Sequence, residues 1–181
     1  MAEKLVRLKR EVVKRGSVLE FCEDEVRLPD GRTETWDFVH HIRGGGACVV
    51  PVLPDGRILM VRQSRPCVGL DMLELPAGAR DRSDESSAVT ALRELREETG
   101  YTAGHLEHLA TVMPAPAYCD ETTDIFLATE LEYAGEQILD EAEDIRTEVY
   151  ELSELLQMIR SGEITDSKTV TGILACAAEK H

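Results

Sequence analysis

The densest cluster of side chains able to do chemistry lies at Arg93-Glu94-Leu95-Arg96-Glu97-Glu98-Thr99-Gly100. On a helix, Glu94 and Glu98 stand about one turn apart and project from one face, with Glu97 beside them. Carboxylates at that spacing repel by roughly 0.2–0.5 kcal/mol when nothing lies between them. A divalent cation turns the repulsion into a ligand set, and all-oxygen donors favour Mg²⁺, or Mn²⁺, over zinc. Arg93 precedes Glu97 by four residues, so its guanidinium can pair with and orient a carboxylate. A Glu-rich helix face is also an ordinary way to meet solvent, and the surrounding sequence has to decide between the two readings.

Several elements must position this cluster. Upstream, Glu74-Leu75-Pro76-Ala77-Gly78 ends a strand in a Pro-Gly break. The helix is expected over residues 85–99, capped by Ser83 or Asp84, with Ala88, Leu92 and Leu95 as its apolar stripe and Gly100 as its stop. Before it, the glycines at 44–46 lead into a buried strand over 47–53, and Pro54-Asp55-Gly56 turns into a second strand over 57–63. Apolar and β-branched residues fill 12–22. Residues 25–28 run into the turn Pro29-Asp30-Gly31, and 32–39 alternate around Trp36 and Phe38. Strands over 106–113, 124–131 and 145–150 and helices over 153–161 and 167–179 follow. The pattern predicts a layered α/β fold, with a β-rich N-terminal subdomain over 1–43 and a main domain over 44–181.

Composition narrows the partners. Acidic residues outnumber basic ones 35 to 20, a formal charge of −15. Such a surface repels a nucleic-acid backbone, whose binding rests on Lys and Arg at the phosphates. A small anionic substrate needs metal ions and a few placed arginines to offset the local field. No apolar run approaches a membrane span, and residues 1–15 lack a signal-peptide core, so a cytoplasmic protein without a membrane partner is expected. The five cysteines (Cys22, Cys48, Cys67, Cys119 and Cys176) are scattered without paired zinc spacing, which predicts buried, reduced thiols for most.

Gly78, Glu85, Arg93, Glu94, Leu95, Glu97, Glu98, Gly100 and Tyr101 together resemble the Nudix box: Gly, five residues, Glu, seven residues, then Arg-Glu-apolar-X-Glu-Glu-X-Gly-apolar. Six residues, not five, separate Gly78 from Glu85 here, which leaves Asp84 or Glu85 for the first acid. Arg62-Gln63-Ser64-Arg65, the Glu74–Gly78 segment, Glu141-Ala142-Glu143-Asp144-Ile145-Arg146 and Gly162-Glu163-Ile164-Thr165-Asp166 look like the ADP-ribose pyrophosphatase branch. The resemblance implies an α/β/α sandwich with a mixed sheet that hydrolyses a nucleoside diphosphate derivative, ADP-ribose first among them, as a homodimer.

It also implies roles. Glu94, Glu98 and the Ala77 carbonyl would be the principal metal ligands and Glu143 a further one. Glu97 would be a ligand or the partner of a metal-bound water, and Arg93 its orienting partner. Glu141 would be the general base, with Asp140 and Glu136 as rivals in the same loop. Arg65 would clamp phosphate, its guanidinium fork suiting phosphate oxygens, unless it serves only a surface ion pair. Trp36 would stack on the base, unless it merely packs the N-terminal sheet. His41 occupies a place where some relatives carry a base-contacting arginine, with Arg43 nearby. Another nucleotide sugar, a dinucleoside polyphosphate or a damaged nucleotide would use the same metal machinery. A regulatory module that binds ADP-ribose without cleaving it is the reading from a different class, and the intact Arg93, Glu94, Glu97 and Glu98 argue against it.

Overall fold

A computed structural model describes residues 4–139, 141 and 143–179. The chain begins with an antiparallel meander of β1 (Val6–Arg15), β2 (Leu19–Arg27) and β3 (Thr33–His41). The apolar run over 12–22 is therefore not one strand. Gly16-Ser17-Val18 breaks it into a hairpin, with Gly16 N–H donating to Leu19 O at 2.8 Å. Strand β2 alternates strictly, burying Glu20, Cys22, Asp24 and Val26. Arg10 on β1 grips the buried Asp24 with two hydrogen bonds of 2.7 Å. Strand β3 joins the rest of the molecule where Val39 N–H donates to Tyr118 O at 2.7 Å and Asp120 accepts from His41 N–H at 2.9 Å.

The centre is a mixed sheet in the order β7 (Ala77–Ala79), β4 (Gly45–Pro51), β9 (Thr122–Tyr133) and β8 (Tyr101–Val112). β4 runs parallel to β9 and antiparallel to β7. Every residue of β4 is buried, the sign of a strand covered on both faces. Its side chains divide by parity. Ala47 and Val49 pack with Ala91 and Leu95 of α1 (Ser87–Thr99). Cys48 and Val50 pack with Leu155 of α2 (Leu152–Ser161) and Ile173 of α3 (Ser167–Glu179). The result is an α/β/α sandwich. A second antiparallel sheet, β10 (Ile145–Tyr150), β5 (Ile58–Arg65) and β6 (Leu70–Glu74), contributes Ile58, Met60 and Leu73 to the same core as α2 and α3.

Helix α1 starts two residues later than the sequence pattern suggests. Its cap is Ser86, whose hydroxyl accepts from Val89 N–H at 3.3 Å, rather than Ser83 or Asp84. Glu85 stays outside the helix because its carboxylate is engaged locally, accepting from Asp81 N–H at 2.7 Å and from the Thr90 hydroxyl at 3.1 Å. Asp84 instead faces solvent beside Arg82. At the other end, Gly100 caps α1 in the left-handed region (φ 80°) and its N–H returns to Arg96 O. A Cβ on Gly100 would fall 2.1 Å from Gly135 O, so this glycine serves the loop after β9 as well as the helix.

Gly100→Ala is expected to lower the unfolding free energy by about 1–3 kcal/mol, adding a steric clash to left-handed backbone strain. Gly31→Ala, also at positive φ (87°) but in open space, should lose less. Chemical denaturation of both variants measures this, and equal losses would refute the claimed contact with Gly135.

Candidate active site

Helix α1 turns Glu94 and Glu98 inward against β7, where they are 9% and 4% exposed. Two glycines make that approach sterically feasible. A Cβ on Gly78 would lie 2.0 Å from Glu94 Oε1, and one on Gly46 would lie 2.2 Å from Gly78 O. Ala77 N–H donates to Glu98 Oε2 at 3.2 Å. Arg93 binds Glu94 at 2.7 Å and Glu97 at 2.9 Å through Nη1, and its Nη2 donates to Ala79 O at 2.9 Å. One guanidinium thus ties two carboxylates to the chain leaving β7. Glu97 is the more open of these acids, at 37% side-chain exposure.

These groups line one hollow together with Arg43, Ile138, Leu139 and Glu143. Burial pushes the Glu94 carboxyl up to about 7, against the opposing pull of Arg93 and with the added repulsion of Glu97 and Glu143. Burial likewise pushes Glu98 up to about 8; Glu94 and Glu143 raise it further, while the Ala77 N–H and Arg65 act the other way. Carboxyls that resist ionisation because they are dry and crowded are carboxyls that a cation would relieve. The donors are hard oxygens, the type that Mg²⁺ or Mn²⁺ takes. Among the described residues, no group of three or more His, Cys, Asp and Glu side chains stands gathered as an ion would need; Glu94 and Glu97 are both held by Arg93.

The acidic loop after β9 is fastened to the last turn of α1 through main-chain acceptors. Arg96 Nη1 donates to Glu136 O at 2.8 Å, Ile138 N–H donates to Glu97 O at 2.8 Å, and Gln137 Nε2 donates to Glu98 O. Beyond these anchors Glu141 and Glu143 are exposed, and Glu143 reaches the carboxylate hollow. Glu136 lines a different hollow beside Tyr101 and Tyr133. Asp140 lies outside the described residues, as does Ala142.

An adjoining cleft of about 310 Å³ shares Ala77 and Gly78 with β7 and contains Arg65, Asp166 and Lys168. Arg65 presents its guanidinium edge to Glu74, at 2.7 and 2.8 Å. Trp36 is placed elsewhere, in a third hollow with Phe38, Arg7 and Arg10, its indole N–H on Glu34 at 3.2 Å. His41 does not present a side chain to a ligand. It is 5% exposed, and its ring Nδ1 has no partner among the described residues. The period of two along β3 puts Trp36 and His41 on opposite faces. Arg43, two residues on, is the one that reaches the carboxylate hollow, with its Nη1 donating to Arg80 O at 3.0 Å. Lys168 and Gln137 had no assigned role in the sequence reading, since each acts on a partner far along the chain.

The geometry now stands beside known proteins. Residues 42–170 match the NUDIX domain. The chain belongs to the Nudix family. It is 35% identical over 165 residues to an ADP-ribose pyrophosphatase of Bacillus subtilis, covering 91% of this chain and 88% of that protein. It is also 35% identical over 167 residues to a methanol dehydrogenase activator of Bacillus methanolicus, covering 92% and 89%. A crystal structure of an ADP compounds hydrolase superposes with a TM-score of 0.84 over 98% of this chain and 95% of that one, at 20% identity. That likeness establishes the fold. The Glu94–Glu98 face is therefore a Nudix box set on its own helix, and the protein is an enzyme of the pyrophosphohydrolase class. Among the described residues, no helix is long and apolar enough to cross a membrane.

The raised carboxyls have a consequence for stability without metal. Their folded-state pKa values, about 7 and about 8, lie above the ordinary 4.5. The stability tied to their protonated forms is thus complete below about pH 4.5 and is lost as pH rises through 7 and 8. The metal-free protein should melt at a lower temperature at pH 8.5 than at pH 6. Added Mg²⁺ should reverse the loss, and Glu98→Gln should flatten the slope. Scanning calorimetry in chelator measures this; a wild-type slope unchanged by Glu98→Gln would refute the assignment.

Proposed function

We propose that this Nudix enzyme hydrolyses the pyrophosphate link of a nucleoside diphosphate sugar with Mg²⁺, for which Mn²⁺ can substitute. ADP-ribose, cleaved to AMP and ribose 5-phosphate, is its preferred substrate. The observation that carries this reading is the buried Glu94–Glu98 pair packed against Ala77 and Gly78, with the Arg65 cleft directly alongside. The kinship with an ADP-ribose pyrophosphatase along nearly the whole chain supports ADP-ribose over other sugars.

Glu94, Glu98 and the Ala77 carbonyl would hold the ion, and Glu143 would add a donor from the loop. The ion, when bound, neutralises phosphoryl charge and makes water more acidic. Glu141 takes the proton as the water oxygen adds to phosphorus, the bridging P–O bond breaks, and its electron pair leaves on the other phosphate. Glu97 is held ready by Arg93. Arg65 holds a phosphate with the guanidinium hydrogens that Glu74 leaves over. Trp36, which lines a hollow apart from the carboxylates, stacks on the base of a substrate bound by a second copy of the chain.

This reading takes the protein as a homodimer through the N-terminal sheet, the subdomain over 1–43. Val6 on β1 and Leu19 and Phe21 on β2 share one face of this sheet and are between 39% and 46% exposed, apolar side chains that a partner would cover. Sedimentation at assay concentration is expected to give a dimer, and a fully active monomer would refute it.

The kinship with a dehydrogenase activator favours one second reading, in which turnover or binding of the nucleotide regulates another enzyme. The two readings part in a substrate panel. kcat/KM should be highest for ADP-ribose among ADP-ribose, ADP-glucose, GDP-mannose, NADH and a dinucleoside polyphosphate. A tenfold preference corresponds to about 1.4 kcal/mol, roughly one good contact. ADP-ribose ranking more than tenfold below another compound would overturn the substrate, and tight binding without turnover would leave only the regulatory reading.

A further inference from the structure

The cleft beside the carboxylate hollow contains a closed set of charges of which the reaction as described uses only Arg65. Glu74, 1% exposed, accepts from Arg65 Nε and Nη2 and from Lys168 Nζ at 2.5 Å. Lys168 also pairs with Asp166 at 2.9 Å and is itself only 17% exposed. Asp166 in turn accepts from Thr169 N–H at 3.0 Å and from its hydroxyl at 2.6 Å, and that hydroxyl accepts from Leu75 N–H at 2.9 Å. The start of α3 is thereby bound to the end of β6 and the approach to β7.

Formal charges in this set cancel: Arg65 and Lys168 against Glu74 and Asp166. Removing the lysine charge leaves a net −1 beside Glu94, Glu98 and Glu121, in a cleft expected to receive a phosphate. It also strips Glu74 of one of its two cations, so that the buried carboxylate draws harder on Arg65. Both effects act on anion binding rather than on bond breaking.

We propose that Lys168 is a positioning residue for substrate binding. By sharing Glu74 it holds Arg65 at the cleft beside Ala77 and keeps the local charge neutral. This inference rests on the proposed pyrophosphate substrate. The test measures, on the intact protein, the Kd of a non-hydrolysable α,β-methylene analogue of ADP-ribose by calorimetry, together with KM, kcat and Tm. Lys168→Met should weaken binding and raise KM at least tenfold while kcat changes less than threefold. Lys168→Arg should restore Kd to within threefold of wild type. Thr169→Ala, which breaks the neighbouring tie to Leu75, should lower Tm without moving Kd more than twofold. Lys168→Met binding as wild type, or Thr169→Ala weakening the Kd as much, would overturn the positioning role alone. Wild-type protein that neither binds the analogue nor turns over any compound of the panel would instead sink the functional reading.

Discussion

The close packing of α1 against β7 sets the terms for everything else in this molecule. Two carboxylates of one helix face are pressed into backbone that has no Cβ at Gly78, and Gly46 lets the next strand lie as close on the far side. Dry carboxylates at such range are costly unless something compensates them. Here the compensation comes from the Ala77 N–H, from Arg93, and from residual protonation near neutral pH. The same packing aligns β4 for burial on both faces, so the site and the core rest on one contact.

Charge is partitioned around β7. On the helix side carboxylates outnumber guanidinium groups. Within the Arg65, Glu74, Lys168 and Asp166 set of the adjoining cleft, cations and anions match. Under the proposed function, a pyrophosphate spanning the two regions would meet a carboxylate-held cation at one phosphate and the Arg65 guanidinium at the other. An overall charge of −15 is therefore compatible with an anionic substrate, because the field that matters is local.

Much of this was legible in the residues. The 3.6 periodicity of Ala88, Leu92 and Leu95 points to α1 and Gly100 marks its end, but of that stripe only Leu95 is fully buried: Leu92 is exposed and Ala91 faces the core instead. The start was harder to read, because Ser83, Asp84 and Ser86 are all capable caps; the choice fell to Ser86 once the Glu85 carboxylate bound Asp81 and Thr90. The placing of His41 at the substrate rests on resemblance alone; strand alternation puts it opposite Trp36, and its side chain is buried. Lys168 carried no signal, since a lysine in a first helical turn ordinarily points to water and its partner Glu74 lies 94 residues away. The two-sided burial of β4 was visible in its unbroken apolar run, but which residues face α1 required the register with β9.

The acidic loop is attached to α1 through carbonyl oxygens of Glu97 and Glu98 and through the main chain of Glu136 and Ile138. Main-chain carbonyls are present whatever side chain stands at a position. This fastening thus does not depend on the side chain of Glu141 or Glu143. A lineage can exchange those two acids one at a time without first rebuilding the mount. The fixed cost of invention falls instead on Arg96 and Gln137, whose side chains are the fasteners.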